Sequence, residues 1–266
     1  MKALDFFSTH PVFTRGEFGK AVSAGRSDPE AAASAQLGRY LRAGRIGRVR
    51  RGVFFTPHPG DRADKGAVDF LLVASRCAPD AVLSHSSALE AHGYARTVFE
   101  RVVFLTETKT KRFTFRRRPF TPVSPPAELR RGRQSFMFAE DVERQGLTCR
   151  VTSLERTAAD VLDRPELAGG MEEAWAALAG VPLLDLAALM AYVRARGQAT
   201  LAAMVGLFLE HHRKHFAVGE AALAELRAMR PRQPQYVDRA AGGKLVAGWN
   251  LIVPASLVEG DWEAVS

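Results

Sequence analysis

Three groups of side chains in this 266-residue sequence have types and spacings that could support chemistry. Asp80 follows Pro79, and Glu107-Thr108-Lys109 follows an apolar run, the sparse arrangement of a magnesium-dependent nuclease. There the acids would hold the metal and the lysine would steady the attacking water. The match is short, and Asp80 falls at an expected helix boundary instead of on the neighbouring strand such a site needs, so a nuclease stands as the alternative reading. Glu210, His211 and His215 lie in EHHRKH, with the two histidines one helical turn apart. Arg213 and Lys214 oppose a cation there, and no third ligand is evident, so a polar helix face is expected. Ser84, His85, Ser86 and His92 lack a GxSxG elbow and read as a helix cap with packed histidines. With neither a Walker motif nor a GxGxxG loop, the expectation is a protein that is not an enzyme and takes no cofactor or metal.

The fourth group is cationic. From Pro29 to Ala43, Ala33, Leu37, Tyr40 and Leu41 recur at helical spacing and form one apolar stripe. Asp28 suits the cap, Pro29 the first turn and Gly44 the stop. The opposite face, with Ala31, Ala32, Ala35, Gly38, Arg39 and Arg42, is slim in its first half and basic in its second. Two β-favouring runs follow, Ile46 to Val49 and Val53 to Phe55, joined by Arg50, Arg51 and Gly52. A slim basic helix followed by an arginine-tipped hairpin is what a winged helix-turn-helix uses to fill a major groove and clamp phosphates. Ser34, Arg39 and Arg42 would then face the groove, and Arg45, Arg48, Arg50 and Arg51 would hold the backbone. The plainer alternative is an amphipathic helix and hairpin within an ordinary α+β domain.

Charge is unevenly placed. The chain carries a net +8, with +6 in residues 1–60, −2 in 61–100, +8 in 101–133 and −4 in 134–266. Two blocks of positive charge are expected where a polyanion docks. The second contains Lys109, Lys111, Arg112, Arg116, Arg117 and Arg118, which read as a second phosphate-contacting surface, a face for an acidic partner, or a charged strand edge that resists aggregation. Cys77 and Cys149 form no CxxC pair, which argues against a disulfide framework. The N-terminus lacks the apolar core of a signal peptide, and the longest apolar run is too short for a bilayer, so a cytoplasmic protein with no membrane contact is expected.

The elements that must position these groups are legible in outline. Lys2 to Ser8 reads as a short helix. Thr14 and Glu17 form a capping box flanked by Phe13 and Phe18, and that second helix should end near Gly25. Residues 57–66 are rich in proline, glycine and charge and read as a linker. Beyond it the spacing predicts helices over 67–77 and up to Gly93, a strand over 101–106, and a basic, partly alternating stretch to Phe120. The prolines from Pro119 to Pro126 argue for an edge or loop instead of a central strand. A strand at 135–139, another at 147–151 and a helix capped by Thr152 with Glu155 come next. After Pro165 the chain reads as helical over 170–178, 183–196, 200–215 and 218–229, with a last strand near Trp249, Ile252 and Val253. The expected fold is α+β: a winged helix-turn-helix over 1–58, then a larger mixed α/β domain over 67–266 with a helical C-terminal half, subdivided near 165.

The segments FTRGEF through GRYLRAGRIGRVRRGVFF, LSHSSALEAHGYA, VTSLERTAADVL and the closing GWNLIV together resemble the AbiEi family of antitoxins and transcriptional regulators. They are spread over most of the chain, and their order carries the likeness. The resemblance implies a winged helix that binds operator DNA and represses its own operon. It also implies a larger domain that counteracts a nucleotidyltransferase-like toxin in a type IV toxin-antitoxin system.

Overall fold

The computed structural model describes residues 2–22, 29–58, 60–61, 66–238 and 242–259. The roles expected of Gly25 and Asp28 lie outside these residues, as does much of the expected linker. The chain begins α1 (Ala3–Thr9), β1 (Val12–Thr14), α2 (Arg15–Val22), α3 (Pro29–Arg42), β2 (Gly47–Arg50), β3 (Val53–Phe55). The capping box forms as expected. The Thr14 amide donates to Glu17 at 2.6 Å, and the Glu17 amide donates to the Thr14 hydroxyl at 3.1 Å. Phe13 and Phe18 pack beside it with ring centroids 6.1 Å apart.

The strand β1 has no counterpart in the sequence-based reading, because three residues are too few for a period. It pairs antiparallel with β3, which pairs antiparallel with β2, giving the order β1-β3-β2. Both faces of this small sheet are buried. Phe13 and Phe54 lie opposite each other and join Phe6, Phe7, Phe18, Ala33, Leu37 and Ile46 beneath the helices. Val12, Val53 and Phe55 project to the other side and join a core with Leu71, Leu72, Val102, Phe104 and Phe120. Alternation sends neighbouring side chains to opposite faces, so the uninterrupted Val-Phe-Phe of β3 is what two-sided burial requires. Gly47 fits beneath Phe55, where an added Cβ would stand 2.1 Å from its ring.

A six-stranded mixed sheet follows. Its elements are α4 (Phe70–Ser75), β4 (Val82–Leu83), α5 (Ser86–His92), β5 (Val102–Leu105), β6 (Phe113–Phe115), β7 (Arg118–Val123), α6 (Ala127–Arg131), β8 (Ala139–Arg144) and β9 (Leu147–Thr152), in the order β6-β7-β5-β4-β9-β8. Three expectations are corrected here. The helix over 67–77 is shorter, because the Asp69 carboxylate accepts from the amides of Leu71 and Leu72 and so starts α4 late. Pro119 and Pro122 lie in an interior strand, not an edge or loop. β6 pairs only with residues 118–120, so Pro122 has no β6 residue opposite it, and Pro119 sits at the pair between the two flanking ones, where no ladder bond is needed. Finally, Thr152 belongs to β9, Ser153 caps the next helix, and Glu155 instead accepts from the Asp185 amide. The strand expected at 135–139 begins only at its last residue, Ala139.

The remaining half contains α7 (Leu154–Asp163), α8 (Met171–Ala179), α9 (Leu186–Arg196), α10 (Ala199–His211), α11 (Glu220–Met229), β10 (Gln235–Tyr236), β11 (Lys244–Val246), β12 (Leu251–Val253) and α12 (Ala255–Glu259). The four expected helices and the last strand are present, but α9 starts at Leu186, where Asp185 caps it, and α10 stops at His211, so His215 lies in the following turn and the expected helix face shared by His211 and His215 does not form. Trp175, Tyr192, Phe208 and Trp249 fill their core. An ionic network lies within it. Arg156 is fully buried, pairs with Asp160 at 3.2 Å, and donates to the carbonyls of Ser135 and Met137 at 3.1 and 2.6 Å. Asp160 also accepts from the Tyr192 hydroxyl at 2.6 Å and pairs with Arg196 at 3.3 Å. Burial and the adjacent carboxylate push the Tyr192 hydroxyl pKa up. One carboxylate thus ties α7 to α9 and, through Arg156, to the turn before β8. Asp160→Asn leaves buried Arg156 without its carboxylate, while Arg196 keeps Asp163 at 2.6 Å, with an expected loss of about 3–5 kcal/mol. Urea unfolding followed by circular dichroism measures this, and a loss below about 1 kcal/mol would show the network to be dispensable.

Candidate nucleic-acid interface

The first basic block divides in two. Arg39 and Arg42 are exposed on the face of α3 opposite buried Ala33 and Leu37, Ser34 is exposed at the flank of that stripe, and Arg45, Arg48 and Arg51 are exposed in the following turn and hairpin. Arg42 Nε donates to the Gly38 carbonyl at 3.3 Å, and the Arg48 guanidinium stands 5.9 Å from the Phe54 ring. Arg50 departs from its expected phosphate-gripping role. Its guanidinium lies 4.8 Å from the centroid of Phe113 on β6 and faces the Cys77 thiol. Burial pushes that thiol up to about 12, with Arg50 opposing the rise.

A bulge explains the departure. Arg48 is opposite Phe54 and Arg50 is opposite Val53, so the register shifts between them at Val49. Two residues that would otherwise share a face are sent to opposite faces. Arg48 takes the side of Phe54, while Arg50 takes the side of Val53, which is turned toward the six-stranded sheet.

The second basic block divides similarly. Arg116 and Arg117 form the two-residue turn between β6 and β7, with φ of 49° and 67°. Left-handed backbone is costly for arginine. Contacts of the first side chain offset that cost, because the Arg116 guanidinium lies 4.9 Å from the Phe55 ring and 5.5 Å from Phe115, and it donates to the Gly66 carbonyl. Arg118 stacks 4.6 Å from Phe70. Arg116 and Arg118 are therefore half-buried structural cations, whereas Lys109, Lys111, Arg112 and Arg117 are exposed.

The two units meet through these stacks and through Arg76 and Glu17 at 3.0 Å. Between them lies a cavity of about 1090 Å³ whose walls include Phe7, Arg45, Pro57, Asp69, Phe70 and Arg144. Asp69 and Arg144 pair across part of its wall at 2.6 Å.

The other candidate groups are used structurally. Asp80 accepts from the Thr106 hydroxyl at 2.5 Å and from the amides of Glu107 and Thr108 at 2.7 and 3.2 Å. Burial would raise its pKa, but these donors hold it below the usual carboxylate value. The Glu107 carboxylate accepts from Ser135. Glu210 accepts from Trp249 Nε1 at 2.6 Å and pairs with Arg227, and His215 Nε2 contacts the Val181 carbonyl at 2.6 Å. Among the described residues no group of three His, Cys, Asp or Glu side chains could hold a metal ion. His85 occupies the turn between β4 and α5 at φ 50° and ψ −125°, buried against Ser84. His92 contacts the Thr152 carbonyl at 2.8 Å.

Sequence reasoning missed the roles of Arg50, Arg116 and Arg118 as stacking groups. No signal in the residue pattern marked them, because each cation lies over a ring from elsewhere in the chain: Arg50 over Phe113, Arg116 over Phe55 and Arg118 over Phe70.

No protein-family model matches the sequence, and no curated protein matches it. Among solved structures the chain is similar to the RV2827C protein from Mycobacterium tuberculosis, with a TM-score of 0.55 and 16% identity over 91% of this chain and 86% of that one. The likeness covers both units of the fold. Among the described residues no helix is long and apolar enough to cross a membrane.

Burial lowers the pKa of His85 and His212 to about 4, with His211 and His215 adding to the effect at His212. In the unfolded chain histidine titrates near 6.5. Both imidazoles favour folding fully above that value, and their contribution is lost as pH falls toward about 4. The urea midpoint is therefore expected to fall between pH 7 and pH 4.5, and less steeply in His212→Gln. An equal slope in that variant would mean His212 titrates normally in the folded protein.

Proposed function

We propose that this protein is a DNA-binding transcriptional regulator whose N-terminal unit is a winged helix-turn-helix and which acts as the antitoxin of an AbiE-like system. The observation that carries the DNA reading is the two-sided character of α3. Ala33 and Leu37 are buried in a phenylalanine core while Ser34, Arg39 and Arg42 face solvent, followed by exposed Arg45, Arg48 and Arg51. The order α1-β1-α2-α3-β2-β3 with its three-stranded sheet supports the winged-helix reading. In this reading Arg39, which can bond guanine bidentately, sets specificity, and the hairpin mainly sets affinity.

Arg39→Ala with Arg42→Ala is expected to abolish preference for the protein's own promoter over unrelated duplex in mobility shifts. Arg51→Ala weakens binding to both and makes the slope of log K against log salt shallower by about 0.9. Failure of the wild-type protein to retard any duplex at low salt would end the DNA reading.

The antitoxin role rests on the resemblance carried by VTSLERTAADVL and its companion segments. Co-expression with a nucleotidyltransferase-like protein from the adjacent gene is expected to restore growth that the neighbour alone arrests. Continued arrest at equal expression would leave a regulator without that role.

A further inference from the structure

The two basic blocks, 1–60 and 101–133, are separated in sequence by forty residues of net charge −2, yet the fold brings their supporting hairpins together. The contacts run at both ends of β6. At one end the Arg50 guanidinium lies 4.8 Å from the Phe113 ring, and at the other Phe55 and Phe115 have ring centroids 5.9 Å apart. Arg51 follows Arg50 directly, and Lys111 and Arg112 immediately precede Phe113. The exposed tip of the first hairpin is therefore adjacent to the exposed start of the second.

Lys111, Arg112 and Arg51 are solvent-exposed, and no hydrogen bond or ion pair joins their side chains to the described residues. Their charges have not been spent internally, unlike those of Arg50, Arg116 and Arg118. The contact between Arg50 and Phe113 joins the segment that carries Arg51 to the segment that carries Lys111 and Arg112, and so gathers their charges on neighbouring parts of the surface. Uncompensated like charges held that close repel each other, and a polyanion relieves the repulsion by displacing counterions. A duplex carries regularly spaced phosphates along its whole length, whereas an acidic helix or loop would have to present carboxylates along an equally extended ridge.

We propose that the β6–β7 hairpin is a second DNA-contacting element, with Lys111 and Arg112 extending the basic ridge that begins at Arg51 onto the phosphates flanking the site read by α3. The inference rests on the DNA reading given above and adds to it a contact from the larger unit. The stacks of Arg50 on Phe113 and Arg116 on Phe55 hold the two hairpins in register, so the two contacts form one rigid surface. Such a surface favours flanking DNA whose path fits it without bending.

Fluorescence anisotropy with a duplex from the protein's own promoter, across a salt series, tests this in the full-length chain. Lys111→Ala with Arg112→Ala alters only exposed side chains and is expected to leave the melting temperature unchanged. It should make the slope of log K against log salt shallower by about 0.9 for each lost contact. Hydroxyl-radical footprinting should lose protection on one flank of the site while protection at its centre remains. If the wild type binds, Arg39→Ala with Arg42→Ala impairs it, and the Lys111/Arg112 variant keeps both slope and footprint, the second contact is overturned and the DNA reading survives. If the wild type binds no duplex at low salt, both are overturned.

Discussion

The structure depends on a three-stranded sheet that is buried on both faces. Three strands of three or four residues gain their stability from what packs against their faces. Here one face of the sheet closes the phenylalanine core of the N-terminal helices, and the other is a wall of the core beneath the six-stranded sheet. The burial of Val12, Val53 and Phe55 fixes the first unit against the second, and at about 1.5–3 kcal/mol for each large apolar side chain it outweighs any single polar contact between them. Loss of that packing would expose a row of apolar side chains and unpaired strand edges.

This constraint determines what the arginines can do. A hairpin with a free wing projects every cation on its strands to solvent. A hairpin buried on one side and bulged at Val49 must turn some of them inward, and guanidinium is the cation best suited to that because it is weakly hydrated and stacks on aromatic faces. Arg50, Arg116 and Arg118 accordingly lie over Phe113, Phe55 and Phe70. The exposed remainder forms a smaller and more ordered set than charge counting suggests. Arg116 shows the cost and its compensation together, since its left-handed backbone is held by two rings and a carbonyl.

Elements with strong local signals were legible in the sequence. The Thr14–Glu17 box, the stripe on α3 and the glycine-ended α5 formed as their periodicity and caps predict, and the helices after Pro165 formed with shifted ends, α10 stopping at His211. What escaped reading depended on partners distant in the chain. β1 exists only because β3 lies beside it, and Pro119 and Pro122 are tolerated inside the sheet because β6 is short. Of the candidate site, the exposure of Arg39, Arg42, Arg45, Arg48 and Arg51 followed from helix and hairpin geometry. The inward turn of Arg50 did not, because a bulge reverses which face a residue occupies and leaves no mark in the pattern of residue types.

VTSLERTAADVL, one of the segments on which the antitoxin proposal rests, contains the buried ionic network of Arg156 and Asp160. Arg156 and Asp160 are a helical turn apart in it, and both are spent on internal partners. A buried pair of this kind costs several kcal/mol of desolvation per ion and is recovered only with near-complete hydrogen bonding, so its value lies in fixing one arrangement of α7, α9 and the turn before β8. A motif of this sort reports the fold. It says little about what the folded protein touches, since Arg156, Asp160, Tyr192 and Arg196 are all buried. Functional argument must therefore rest on the exposed cations of α3 and the two adjoining hairpins, whose chemistry is directed outward, and the shared core explains why such a surface can be held rigid.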